Sequence, residues 1–215
     1  MKFYTIIISV LFTIVITSCN KTENKAEDAV LEELPAPTDE MENLHRIDDS
    51  LAINKLLTDL HRWHLKTEKV LDFDVYLAKP NDTLYAGIDN EKHSKRVAAL
   101  KATGFFTDAF IENYNKIATT IDTGLKKGTA VYPVGELPPY GNDADPWTNS
   151  QDYPDNYWKK IILYNLTYNN DIVSSTWSFG DNKYDCQFKK VDGKWKVDWL
   201  DGFDYKSFTE GLLTK

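Results

Sequence analysis

A chain of 215 residues, 42% of them hydrophobic, supplies one domain with a real core and a tether beside it. Its 33 acidic residues outnumber 25 basic ones, a net charge of −8, which excludes a broadly cationic face for nucleic acid or anionic lipid.

The N-terminus carries Lys2, then an apolar run from Ile6 to Val15, then Ile16-Thr17-Ser18-Cys19. A basic start, a short apolar stretch and small residues before a cut site read as a secretory signal. The run is only about half to two-thirds of the ~20 residues a membrane span needs. A thiol directly after the cut resembles the bacterial lipoprotein signal. That resemblance implies removal of residues 1–18, diacylation of the Cys19 sulfur with palmitate-type chains, and acylation of the new amine. Two or three acyl chains satisfy the rule that stable anchoring takes more than one. Asn20 is not an acidic inner-membrane retention signal, so the resemblance points to the outer membrane, facing the periplasm or the cell surface. An acylated Cys19 leaves Cys186 as a single thiol, which forms no internal disulfide and reads as a small buried hydrophobe on a strand.

Residues 19–49 read as the lipidated cysteine and a flexible acidic tether: polar, with Pro35 and Pro37 and few large apolar side chains. The single folded domain is expected over 50–215. Leu51, Leu56, Leu57, Leu60, Trp63 and His64 recur at helical spacing behind Ser50 and predict a helix over 50–69. A second helix is expected over 94–102, broken by Gly104. A third spans 105–126, with Phe106, Phe110, Tyr114, Ile117 or Ala118, Ile121 and Leu125 on one stripe and Lys126-Lys127-Gly128 closing it.

The last third changes period. Strands are expected over 161–168, 172–179, 184–191 and 195–199, punctuated by Asn169-Asn170, Gly180-Asp181-Asn182 and the hairpin signal Asp192-Gly193. Tight turns make the four strands an antiparallel meander, because parallel neighbours need long crossovers. One apolar face must be covered, and the preceding helices are available. The fold class is therefore α+β, with N-terminal helices packed on a curved antiparallel sheet of about four strands and a short final helix over 205–213.

Before the sheet stands Asp143-Ala144-Asp145-Pro146-Trp147, followed by Gln151-Asp152-Tyr153-Pro154. This acidic motif, together with helices preceding a sheet that ends in an Asp-Gly-Lys-Trp-Lys-Val hairpin, resembles the bacterial domain-of-unknown-function 3828 family. The resemblance implies a nuclear-transport-factor-2-like cone and a cell-envelope setting, and brings no activity. Asp143, Asp145, Trp147, Gln151, Asp152 and Tyr153 are the candidate binding residues. Asp143, Asp145, Asp152 and Asp155 offer oxygens to a hard cation such as calcium, but the spacing is not that of an EF-hand. The competing reading is structural: Asx-turns, with Asp145 and Asp152 accepting backbone N–H bonds. No other cofactor is indicated.

Tyr132, Tyr140, Trp147, Tyr153, Tyr157 and Trp158 gather in or beside the same stretch. Such rings either plug the open end of the sheet or, if exposed, mark a surface for a sugar or a partner. His61 and His64 stand three apart, without the further ligands zinc requires, and read as surface or core-edge histidines. No catalytic residue and no metal ligand is assigned. Three function classes follow. The first, favoured here, is a non-catalytic envelope lipoprotein that binds a partner protein or a small periplasmic ligand; its sign would be exposed aromatics around Trp147 and an apolar pocket. The others are a hydrolase or lyase using carboxylates such as Asp185 or Asp198, and an immunity-type protein that neutralises a secreted toxin. The membrane is a partner through the lipid anchor only, nucleic acid is not, and a homodimer through the outer sheet face is compatible with the pattern.

Overall fold

The computed structural model describes residues 39–67, 71–181 and 183–213. Cys19, the cut before it and the tether as far as residue 38 lie outside the described residues. Among these are four α-helices and a four-stranded antiparallel sheet: α1 (Asp39–Thr67), α2 (Asn90–Thr103), α3 (Asp108–Lys127), β3 (Ile162–Asn169), β4 (Ile172–Ser178), β5 (Tyr184–Val191), β6 (Lys194–Leu200) and α4 (Tyr205–Leu213). A two-stranded pair, β1 (Val75–Tyr76) and β2 (Gly87–Ile88), was not expected from the sequence; strands of two residues carry no periodicity to read.

The sheet order is β3-β4-β5-β6, the expected meander. Asn170 at φ 53°, and Asp192 and Gly193 at 51° and 73°, supply the left-handed backbone that tight hairpins need. Bulges fall between Tyr164 and Thr167 on β3 and at Asp198 on β6, opposite Gln187 and Phe188. An extra residue on one strand raises local twist, which curves the sheet without closing it. One face is largely apolar: Val173 and Trp177, Tyr184, Cys186 and Phe188, and Val197 and Leu200 are all buried. Burial, and then the neighbouring Asp185 carboxylate, push the Cys186 thiol well up, so it stays protonated and donates to the Ser175 carbonyl at 3.3 Å.

The helices cover that side. On α3 the stripe Phe110, Tyr114, Ile117, Ala118, Ile121 and Leu125 is buried as expected. Thr107 caps its N-terminus, accepting from the Phe110 N–H at 3.1 Å, while the same hydroxyl donates to Asp198 on β6 at 2.7 Å. Phe106 lies ahead of the helix, bridging in parallel to Val197. The second helix starts at Asn90 rather than 94, because the Asp89 carboxylate accepts from the N–H groups of Glu91 and Lys92 and opens it earlier.

The largest correction concerns α1. It begins at Asp39, not Ser50, so eleven residues assigned to a flexible tether are helical. Long-range polar contacts hold them: Asp49 accepts from Lys190 at 2.8 Å and from the Trp195 indole at 2.7 Å, and the Tyr168 hydroxyl donates to the Arg46 carbonyl at 3.1 Å. Further along, Ile53, Leu57, Leu60, His61 and His64 form the buried stripe.

Candidate ligand cavity

The acidic loop is seated at both ends by backbone contacts. Gly141, at φ 71°, donates its N–H to the Phe208 carbonyl at 2.8 Å. Pro146 lies so close to Gly202 that a Cβ there would stand 1.9 Å from the Pro146 carbonyl oxygen. Between these points Asp145 organises the turn. Its N–H donates to the Ser150 carbonyl at 3.2 Å, and its own carbonyl accepts from Thr148 and Asn149 at 3.1 and 2.6 Å. Asp143 and Asn149 take positive φ, 59° and 48°, which Asp and Asn tolerate better than most residues. Asn149 also donates to Asp201 at 3.1 Å, tying the loop to the turn that follows β6.

From this frame the side chain of Trp147 runs inward and is 1% exposed. Its indole N–H donates to Asp72 at 2.6 Å. Asp72 also accepts from the Tyr114 hydroxyl at 2.6 Å and from Arg96 Nε at 2.8 Å, so loop, α2 and α3 meet at one carboxylate. Arg96 is 2% exposed, and its guanidinium packs over the rings of Trp63 and Trp147, 4.9 and 5.6 Å from the centroids. Burial lowers the Arg96 pKa, but the charge and hydrogen bonds of Asp72 outweigh it and hold the cation. Burial and then Asp72 push Tyr114 well above its ordinary value, keeping it a donor. A buried charge is tolerable only when paired and hydrogen-bonded, and Asp72 supplies both to Arg96.

Asp145 is a second junction. Its Oδ1 accepts from the Trp147 backbone N–H at 2.9 Å; its Oδ2 accepts from His64 Nε2 at 2.8 Å and from the Tyr153 hydroxyl at 2.9 Å. Burial raises its pKa, yet the contacts with His64, Trp147 and Tyr153 prevail and hold the carboxyl below its usual range. His64 stacks on Trp147, ring centroids 5.3 Å apart. One turn earlier, His61 meets the Tyr157 hydroxyl at 2.9 Å; burial first, then His64, against an opposing pull from Asp145, push it down to about 3.

Beside these junctions opens a cavity of about 390 Å³. Its walls include Phe73, Leu137, Tyr140 and Phe208, and its polar groups include His64, Asp72, Asp143, Asp145 and Tyr153. Phe73 holds φ 57°, a strained position for a bulky residue, fixed by packing on Tyr114 and Phe208 at centroid distances of 4.7 and 5.2 Å. Leu71 and Leu137 form an apolar rim, 64% and 68% exposed.

Of the candidate binding residues, Asp145, Trp147 and Tyr153 converge here. Asp143 lines the cavity, is exposed, and has no hydrogen bond or ion pair among the described residues. Gln151 and Asp152 are exposed and stand outside the cavity wall. Asp152 contributes its backbone carbonyl, accepting from Ser150 Oγ at 2.8 Å, and its carboxylate takes no backbone N–H bond among the described residues, unlike Asp145. Among the described residues no group of three or more His, Cys, Asp or Glu is placed to hold a metal ion. The histidines are not at the surface or the core edge: His61 and His64 are 0% and 4% exposed, because α1 turns them toward the sheet and the loop. Nor is Trp147 exposed. With Tyr157 it plugs the core, while Tyr132, Tyr153 and Trp158 are partly buried. Asp198 and Asp185 bond Thr107 and Thr176 and do not line the cavity.

Sequence reasoning missed Asp72, Arg96 and Tyr114 as a unit. A signal existed in Arg96, which shares the inner face of α2 with Leu100; a cation on an apolar face needs a carboxylate partner.

Fold and site together define an α+β domain with an open, curved antiparallel sheet and a preformed, aromatic-walled cavity under an acidic loop. Comparison of the chain with protein-family models, with curated proteins and with solved structures finds no match in any of the three.

Proposed function

We propose that this chain is a non-catalytic envelope lipoprotein, anchored by lipid on Cys19, whose α+β domain binds a small periplasmic ligand in the cavity beneath the acidic loop. The observation that carries the reading is the cavity itself. Small-molecule sites are concave, mostly apolar and largely preformed, with a few fixed polar groups, and about 390 Å³ falls within their usual range. Here the polar groups are held before any ligand arrives: Asp72 by Arg96, Tyr114 and Trp147, and Asp145 by His64, Trp147 and Tyr153. Carboxylates whose acceptor positions are taken in this way are suited to shaping a site rather than to shuttling protons. Among the described residues, no serine, threonine, cysteine or lysine lines the wall to act as a nucleophile. The lipoprotein-like signal ending at Cys19 (the lipobox) and the resemblance of the acidic motif to an envelope family supply the setting.

The test is saturation-transfer NMR with neutral, cationic and anionic aromatic fragments on the native chain and on Ala144→Phe, which fills the cavity from its wall. Binding by at least one class, lost in a variant of unchanged melting temperature, is expected. The reading fails if nothing binds, or if the filled variant binds the same fragments undiminished.

A further inference from the structure

We infer that the cavity selects a small organic cation, an amine or quaternary ammonium on an apolar body. The inference rests on the ligand-binding reading above and adds the ligand's charge. Three carboxylates line the wall: Asp72, Asp143 and Asp145. Asp72 is balanced by Arg96 at 2.8 Å, and Asp145 is held by His64, Tyr153 and the Trp147 N–H, whereas Asp143 has no partner among the described residues. Among the described residues no lysine or arginine lines the cavity, so the Asp143 carboxylate leaves the wall negative.

The remaining walls suit the same chemistry. Phe73, Tyr140, Tyr153 and Phe208 surround the carboxylates. Aromatic faces carry negative potential and attract ammonium groups, the more so when water is excluded. Leu137 at the rim gives an apolar tail somewhere to lie. An anionic ligand would meet the unpaired Asp143 carboxylate and no lysine or arginine among the described wall residues. A neutral one would gain the apolar contacts but leave the Asp143 charge unmatched.

The experiment is isothermal titration of the full chain with 2-phenylethylammonium, its neutral isostere 2-phenylethanol and the anion 3-phenylpropanoate. The ammonium is expected to bind at least about tenfold more tightly than the alcohol, the factor that 1.4 kcal/mol represents, and the carboxylate most weakly. The preference should shrink at about 0.5 M salt, where exposed charges are screened. Asp143→Asn should reduce it while keeping the fold, because the carboxylate bonds nothing among the described residues and asparagine tolerates φ 59°. Alcohol binding as tight as ammonium binding, or a preference unchanged in Asp143→Asn and in salt, overturns the cation inference and leaves the cavity reading standing. No binding by any of the three at millimolar concentration overturns both.

Discussion

Replacing Asp72 with asparagine keeps the shape of the side chain and removes its charge. Arg96 is then left as a cation inside the protein: the two side chains are 10% and 2% exposed, so solvent screens little. Breaking a buried pair by removing one partner costs about 3–5 kcal/mol. The amide adds a conflict, because one of its ends is an NH₂ group and both carboxylate oxygens now accept, Oδ1 from Tyr114 and Oδ2 from the Trp147 indole. Against a total stability of about 5–15 kcal/mol the loss is large. At about 2–4 °C per kcal/mol for a domain of this size, the melting temperature should fall by about 6–20 °C. Urea unfolding followed by far-UV circular dichroism measures it, as a lower midpoint at unchanged slope. Arg96→Met should show a comparable loss, and the double variant Asp72→Asn/Arg96→Met should be no worse than the weaker single, since nothing charged is left unpaired. Additive losses, or a single loss below about 1 kcal/mol, would refute the Asp72 junction as a coupled unit.

Acidification should destabilise the domain before its carboxylates titrate. His61 is held near 3 in the folded chain, whereas the unfolded side chain titrates near 6.5. The unfolded state therefore binds the extra proton between these values, so stability is complete above about 6.5 and falls as pH drops toward 3, by up to about 1.4 kcal/mol per unit. Urea midpoints from pH 7.5 to 4 should slope in the native chain and flatten in His61→Phe; parallel slopes would exclude His61 as the cause. Asp145, held low, adds a further loss at the acid end, present above the unfolded carboxylate value near 3.9 and lost as pH falls through its folded value. Gly202→Ala should cost about 1–3 kcal/mol and change the near-ultraviolet dichroism of Trp147, because a Cβ would drive the Pro146 carbonyl away. Cys19→Ala should abolish palmitate incorporation and release the chain from the membrane fraction, and retained label would dismiss the lipobox reading.

The elements legible in the sequence are those with local signals. Asp192-Gly193 and Asn170 announced hairpins, the α3 stripe announced its buried face, and Lys126-Lys127-Gly128 its end. Where α1 begins was not legible, because its first turns are held by Lys190, Trp195 and Tyr168, more than a hundred residues away. The acidic loop was legible as a place, through its turn residues, but not as a wall: Asp72 meets Arg96, Tyr114 and Trp147 across 24, 42 and 75 residues. Histidine spacing on α1 gave no sign that both rings turn inward, since nothing local records what the loop supplies on the other side.

The span of contacts at Asp72 also bears on the lifetime of the folded chain. The β3–β6 meander closes through neighbouring strands, whereas the Asp72 junction requires loop closures across up to 75 residues. Closures of that length are slow to be rewarded during folding. The junction is thus expected to assemble after the rate-limiting step, so that Asp72→Asn leaves refolding nearly unchanged and accelerates unfolding. In the proposed envelope setting, where an opened chain meets proteases, the Asp72 carboxylate would also set how long the domain survives between openings.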